Sequence, residues 1–218
     1  MRYDRRRLLL MPPKTASRFC HRRVVGREIV HRNTDRQRHV ALHQIPDDIV
    51  SGREVFCLTR DPYEWYESFY AHMRRSPSMP WNALWGHSPV PSFRDALRDY
   101  CRGWRTRRAG DDVLLGDTNV LKNQRKGRCG LWSYLMWWTS THAWPAWNEE
   151  ARWIFIEDGV VAGLHAAGFQ VDTYSLDRPG DGKYRPHEWD DQMRGWVQRA
   201  DGETLRKIET QKVFGGEA

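Results

Sequence analysis

Three short apolar runs, separated by segments with a helical pattern, constrain the fold more than any other feature of this chain. They lie within residues 6–11, 53–60 and 151–158, which read RRLLLM, REVFCLTR and ARWIFIED. Short, nearly continuous apolar runs of this kind are typical of strands that are buried on both faces. Helices are predicted over 14–30, 61–75, 93–105, 131–144, 159–168 and 187–211. The alternation predicts an α/β fold with a central parallel sheet flanked by helices.

Length and composition favour one globular domain spanning residues 1–218, because 39% of the 218 residues are hydrophobic. Residues 76–130 are rich in proline and basic side chains and are predicted to be mainly loops that shape an acceptor site. No apolar run is long enough to span a bilayer, so a cytoplasmic location is expected. The four cysteines are scattered without a C-x-x-C pair, which predicts neither a zinc site nor a disulfide framework.

The chain is basic, with a formal net charge of +7 and a pI of about 9.4. A surface of this charge favours anionic partners such as nucleotides, nucleic acid, acidic glycans or a membrane face. Charge alone leaves these classes open.

Residues 11–20, MPPKTASRFC, follow the first predicted strand and begin a helix. Free N–H groups and the helix dipole favour an anion at such a point. Lys14 adds a positive charge, Ala16 and Ser17 let the backbone approach closely, and the hydroxyls of Thr15 and Ser17 can donate. The alternative is an ordinary capped helix with a surface lysine. The pattern G-x-x-x-x-G-K-[ST] of a Walker A loop is absent.

Arg60 ends the second predicted strand, and Ser68 lies eight residues further on, about two helical turns into the next element. In a parallel sheet ligands bind at the carboxyl ends of the strands, so Arg60 and Lys14 are expected at one edge. A guanidinium and a hydroxyl suit a second phosphate. The alternative pairs Arg60 with Asp61 or Glu64 and leaves Ser68 facing solvent.

Together these segments resemble the sulfotransferases that use 3′-phosphoadenosine 5′-phosphosulfate (PAPS) and release adenosine 3′,5′-bisphosphate (PAP). PPKTASRFC is similar to their 5′-phosphosulfate loop, and VFCLTRDPYEWYESFY to their 3′-phosphate motif. RHVALHQIPDDI resembles a histidine-containing segment of heparan 2-O-sulfotransferases and of small bacterial and viral members. WIFIEDGVVAGLHAAGF resembles a later strand–helix region. The resemblance leaves out roughly residues 76–130.

The resemblance implies a P-loop-like sulfotransferase fold and assigns roles to particular residues. Lys14 would contact the bridging oxygen of PAPS and act in catalysis, and Arg60 and Ser68 would bind the 3′-phosphate. Contacts to the 5′-phosphate are assigned to the loop Lys14, Thr15, Ala16, Ser17 and Arg18. Further contacts to the 3′-phosphate are assigned to Lys183 and Arg185 in a late basic loop. No metal is required when lysine and backbone donors supply the positive charge.

Two positions depart from the family pattern. Arg18 stands where threonine is usual, and either takes over that contact or points outward. Ala16 stands where glycine is commoner, which is tolerable if the local φ is negative.

His39 occupies the position of the catalytic histidine in the 2-O-sulfotransferases, so it is the predicted general base. Alternatives are His43, Glu67 and His72. Trp65 either lines an adenine slot or belongs to the core.

The acceptor is expected to carry a hydroxyl or an amine. Tryptophans and arginines between residues 76 and 130 favour a saccharide or another anionic molecule, although packed loops with a solvated charged face remain the alternative. The competing class is a basic nucleic-acid-binding or nucleotide-binding protein without sulfotransferase activity, but no usual nucleic-acid-binding module is recognisable. The oligomeric state is left open.

Overall fold

The structure is a computed structural model that describes residues 1–28, 41–75, 91–101, 129–140, 147–172 and 187–213. Its strands are β1 (Arg2–Tyr3), β2 (Arg7–Leu10), β3 (Arg27–Glu28), β4 (Glu54–Thr59) and β5 (Arg152–Phe155). Its helices are α1 (Ser17–Arg23), α2 (Asp47–Val50), α3 (Pro62–Arg75), α4 (Phe93–Cys101), α5 (Leu131–Ser140), α6 (Val160–Ala166) and α7 (Asp191–Thr210). Short 3₁₀ turns cover Leu42–Gln44 and Ile156–Asp158.

The chain divides into two compact units. The first comprises Met1–Asp61, Leu135–Gly182 and Arg206–Ala218, and it holds the whole sheet. The second comprises Pro62–Tyr134 and Lys183–Leu205. Much of the segment predicted to shape the acceptor site, 76–130, lies outside the described residues.

The sheet is mixed, with the strand order β3-β1-β2-β4-β5. The three predicted strands form its parallel part, in which β4 pairs with β2 on one side and β5 on the other. The α/β character and the parallel core are therefore confirmed. The sheet as a whole is mixed, because the short strand β1, which the sequence did not predict, pairs antiparallel with both β2 and β3.

The central strand β4 explains why the apolar runs were informative. Val55, Phe56, Cys57 and Leu58 are all buried, as are Leu8, Leu9 and Leu10 of β2. A strand with neighbours on both sides and elements over both faces has no solvent-exposed side, so its sequence does not alternate.

Helix α1 is much shorter than the helix predicted over 14–30. It begins only at Ser17 and ends at Arg23, and Val24 adopts an extended conformation that forms a bridge with Val171. The chain then enters β3, which pairs with β1. Basic residues with good helix propensity suggested continuation, but pairing with distant strands overrides local preference.

Other predicted helices agree closely with the structure. The helix α3 covers Pro62–Arg75, as expected for 61–75. The helix α6 ends at Ala166 and is closed by the predicted glycine, because Gly168 has φ +78° and the Phe169 amide donates to the Leu164 carbonyl, as in a Schellman motif. The aromatic helix α5 is almost wholly buried among the residues described.

No helix in the described ranges combines the length and apolar character needed to cross a membrane. All four cysteines are free thiols in the structure. Burial raises the pKa of the Cys20 thiol to about 12 and that of Cys129 to about 11, and it also raises the pKa values of Cys57 and Cys101. These thiols are poor nucleophiles at neutral pH.

Candidate anion-binding site at the edge of the sheet

The loop that leaves β2 has an unusual backbone. Lys14 has φ +66° and Ala16 has φ +56°, and among the described residues these are the only positive φ values outside glycine. Each costs about 1–2 kcal/mol for an L-residue with a Cβ atom. The intervening Thr15 does not have a positive φ. Backbones that alternate between left-handed and right-handed residues form the anion-binding concavities known as nests, in which successive N–H groups face one side.

The positive φ of Ala16 overturns the condition under which alanine was expected to replace glycine without strain. Ala16 is the N-cap of α1, and its carbonyl accepts from the Cys20 amide at 3.1 Å. A single left-handed residue reverses the chain between the end of the strand and the helix. The surrounding loop therefore holds Ala16 in a conformation that glycine would adopt without cost.

Thr15 fixes the shape of this loop. Its side chain is fully buried, and its hydroxyl donates to the Pro12 carbonyl at 2.7 Å. The hydrogen that was expected to be available to a phosphate is thus used within the loop, and the hydroxyl closes the turn. Lys14 and Ser17 are half-buried, whereas Arg18 is exposed. Of the two alternatives for Arg18, the outward orientation matches this exposure.

Arg60 follows β4 directly, next to the end of β2. The parallel register pairs Leu10 with Cys57, so the chain leaves both strands at the same edge, towards Lys14 and Arg60 respectively. In the structure, Lys14 and Arg60 therefore follow the carboxyl ends of two neighbouring strands. This is the edge at which open parallel sheets bind ligands.

Arg60 has a carboxylate neighbour that the sequence interpretation did not name. Its Nε lies 3.5 Å from Oε1 of Glu157, which follows β5 on the other side of β4. Asp61 and Glu64 had been considered as partners because they are close in sequence. Glu157 lies near the end of the third predicted strand, 151–158. The carboxyl ends of parallel strands meet at one edge of the sheet, so Glu157 is expected at the same edge as Lys14 and Arg60.

The remaining predicted residues fall into two groups. His39, Lys183 and Arg185 lie outside the described residues. Ser68 lies within α3 of the second unit and is half-buried. His43, the alternative base, packs edge-to-face against the buried indole of Trp138, with 6.4 Å between ring centroids.

Two residues considered for the site have structural partners in the second unit. Glu67 is buried and accepts from the Trp189 indole at 2.7 Å and from the His187 amide at 3.1 Å. Trp65 is fully buried and stacks on Phe69 with 4.7 Å between centroids, which matches the core alternative.

A buried carboxylate in the second unit was missed entirely. Asp201 of α7 accepts from the Tyr66 hydroxyl at 2.8 Å and from the Ser133 amide at 3.1 Å. Burial raises its pKa to about 6, although these hydrogen bonds favour the charged form. It satisfies an N–H group in the first turn of α5, where Gly130 has no side chain to serve as a cap. Its role is structural.

Within the described ranges, no three His, Cys, Asp or Glu side chains converge as metal ligands. Comparisons of the chain with protein-family models, curated proteins and solved structures found no match.

Proposed function

We propose that this protein is a sulfotransferase that moves a sulfuryl group from PAPS to a hydroxyl or amine of an acceptor. The observation that carries the proposal is the placement of Lys14 and Arg60 after neighbouring parallel strands, with a nest-like loop at Lys14. Two cationic positions on neighbouring strands suit a nucleotide that carries one phosphate on the 5′ oxygen of its ribose and another on the 3′ oxygen. A P-loop-like sulfotransferase fold is part of the proposal.

The loop offers what a 5′-phosphosulfate needs. Backbone N–H groups alternating around Thr15 can donate to phosphate oxygens, and the small Ala16 leaves room for close approach. Lys14 supplies a charge that neutralises the phosphate as it leaves. Because Thr15 is used to close the turn, we assign the 5′-phosphate to backbone amides and to Ser17 rather than to the Thr15 hydroxyl.

The reaction requires one bond to form as another breaks. The acceptor oxygen or nitrogen attacks sulfur, the bond between sulfur and the bridging phosphate oxygen breaks, and PAP leaves with the bonding electrons. The acceptor proton passes to a base, for which His39 remains the candidate from the resemblance. Arg60 holds the 3′-phosphate, and Ser68, Lys183 and Arg185 keep their assignments from the resemblance alone.

His39 and His43 can be separated by substitution. His39→Ala should lower turnover by about 10²–10⁴, the usual contribution of a general base, and leave PAP affinity unchanged. His43→Ala should retain turnover if the protein folds, because its ring packs against Trp138. An inactive His43→Ala with native stability beside an active His39→Ala would reverse the assignment.

The saccharide or other anionic acceptor stays part of the proposal, supported by the basic charge of the chain. A screen of sulfate transfer from PAPS to hydroxyl-bearing and amine-bearing saccharides tests it.

Ligand-dependent thermal unfolding tests the donor class directly. PAP should raise the unfolding midpoint, whereas ATP and a DNA oligomer at equal concentration should raise it much less. A ligand at a hundredfold excess over its Kd stabilises the folded state by about 2.7 kcal/mol. Arg60→Ala should reduce the PAP shift. Equal shifts with PAP and ATP would refute a dedicated 3′-phosphate site, and a shift with DNA alone would favour nucleic-acid binding.

A further inference from the structure

Arg60 and Glu157 form an ion pair across two neighbouring strands of the first unit. The register of β4 and β5 pairs Thr59 with Phe155, so Arg60 is the first residue after one strand and Glu157 the second after the other. The contact between Nε and Oε1 is 3.5 Å, and the side chains are 18% and 26% exposed. Both side chains thus keep some exposed surface, although the Nε atom in the contact is itself buried.

The adjacent carboxylate has a different partner. Asp158 forms an ion pair with Lys212, with 2.8 Å between Oδ2 and Nζ. Two neighbouring acidic residues are therefore directed to two separate cations. Asp158 joins the end of β5 to the C-terminal segment that forms a bridge with Trp153, whereas Glu157 is directed to the arginine that we assign to the 3′-phosphate.

We infer that Glu157 is the resident counter-ion of Arg60, which the 3′-phosphate of PAPS or PAP must displace. The inference rests on the proposed function of Arg60. A phosphate dianion presents more charge and more acceptor oxygens to a guanidinium than a carboxylate does, so it can displace Glu157. A nucleotide with a 3′-hydroxyl cannot, and leaves the pair intact.

The displaced carboxylate stays near the bound phosphate and repels it. This repulsion acts on donor and product alike, because both carry the 3′-phosphate. It therefore weakens the binding of PAPS and PAP without altering the step at sulfur. Glu157 is in this sense an autoinhibitory contact that prevents PAP from being held too tightly.

Glu157→Gln is the informative substitution, because it removes the charge and keeps an amide oxygen of the same reach beside Arg60. The matched control is Asp158→Asn, which changes the net charge equally one residue away, at the pair with Lys212. Isothermal titration with PAP and with adenosine 5′-phosphate, which lacks the 3′-phosphate, measures both ligands on all three proteins. Thermal unfolding of each variant confirms that it is folded.

We expect Glu157→Gln to bind PAP about tenfold more tightly than the unsubstituted protein, the size of a carboxylate–dianion repulsion at about 6 Å in a watery site. Its affinity for adenosine 5′-phosphate should stay within about twofold, as should both affinities of Asp158→Asn. The KM for PAPS should fall together with the Kd for PAP.

Two results would overturn the inference and leave the proposed function standing. In the first, the unsubstituted protein binds PAP but Glu157→Gln binds it equally or more weakly, which makes Glu157 a residue that orients Arg60. In the second, Asp158→Asn gains as much as Glu157→Gln, which reduces the effect to overall charge. Absence of PAP binding by both the unsubstituted protein and Glu157→Gln would overturn the inference and the proposed function together.

Discussion

Replacing Gly130 by alanine should destabilise the protein strongly, although alanine is the smallest possible addition. Gly130 is the N-cap of α5, and its carbonyl accepts from the Tyr134 amide at 3.0 Å. A Cβ atom at this position would lie 2.4 Å from Oδ1 and 2.6 Å from Oδ2 of Asp201, and 2.6 Å from the Tyr66 hydroxyl. Contacts this short cannot persist, so the carboxylate, the phenol or the helix end must move.

The size of the effect follows from what is lost when these groups move. Asp201 accepts from the Ser133 amide, and the Tyr66 hydroxyl accepts from the Trp132 amide while donating to Asp201. A hydrogen bond to a charged group contributes about 1.5–3 kcal/mol, and overpacking a buried site costs about 1–3 kcal/mol. We therefore expect Gly130→Ala to lower the free energy of unfolding by about 3 kcal/mol, a large share of the roughly 5–15 kcal/mol of a typical domain.

Chemical denaturation followed by tryptophan fluorescence measures this change, and Gly195→Ala in α7 is the matched control. A Cβ at Gly195 would meet only the flexible end of Arg199, at 3.2 Å. Because alanine is the better helix former, Gly195→Ala should stabilise by up to about 1 kcal/mol. In an Asp201→Ala background, Gly130→Ala should cost much less, since the crowding carboxylate is gone. A cost below about 0.5 kcal/mol in the native background, or an undiminished cost in the Asp201→Ala background, would refute the reasoning.

Three further predictions concern pH, backbone strain and the candidate site. Burial raises the pKa of Asp201 to about 6, above the value of about 3.9 in an unfolded chain, so folding is favoured when the carboxyl group is protonated. The contribution of Asp201 to the free energy of unfolding is therefore most favourable below about pH 4. It declines by up to about 3 kcal/mol as the pH rises to about 6 and is then constant. Urea unfolding from pH 4 to 8 should show this decline as the difference between the unsubstituted protein and Asp201→Asn, and a flat difference would contradict it. Ala16→Gly should raise the free energy of unfolding by about 0.5–1 kcal/mol and Ala16→Val should lower it, because φ is +56°; urea midpoints in the reverse order would argue against a strained loop. Arg60→Ala should weaken PAP binding by about 1.5–3 kcal/mol, whereas Lys14→Ala should reduce turnover more than PAP affinity; titration and initial rates measure the two effects, and near-full turnover in Lys14→Ala would remove its role at the leaving phosphate.

The parallel part of the sheet could be predicted from the sequence because a strand buried on both faces has a continuous apolar run. Leu8 to Leu10 and Val55 to Leu58 are continuous apolar runs for that reason. The strands β1 and β3 have no such run, because each has two residues and both are rich in charge. The β1–β2 turn is made instead by Asp4, which accepts from the Arg6 and Arg7 amides at 2.7 and 2.8 Å. The pairing of β1 with β3 depends on residues 24 and 26 positions apart, Tyr3 with Arg27 and Arg2 with Glu28.

The Asp201 cluster shows a second kind of information that local patterns do not carry. Gly130 before an aromatic helix predicts a helix start with a weak cap, since glycine offers no side-chain acceptor. The acceptors come from Asp201, 68 residues after the Ser133 amide, and from Tyr66, 66 residues before the Trp132 amide. A lone aspartate in a long amphipathic helix is more often solvated, so its burial could not be read from α7 itself.

The candidate site was partly predictable because it follows from a rule about topology. Lys14 and Arg60 each follow an apolar run, and parallel strands bring such positions to one edge whatever lies between them. Glu157 follows the same rule, but the sequence interpretation considered only acidic residues within four positions of Arg60 as partners of that arginine. The positive φ values of Lys14 and Ala16 obey no local rule, since both residues have Cβ atoms and favour negative φ. They arise because the buried Thr15 hydroxyl is bonded to Pro12 and α1 must start at Ser17, so that the loop fixes a conformation its own residues disfavour. Backbone strain of this kind clusters at sites that bind ligands. The positive φ values of Lys14 and Ala16, which the sequence did not predict, are therefore the strongest structural support for an anion site.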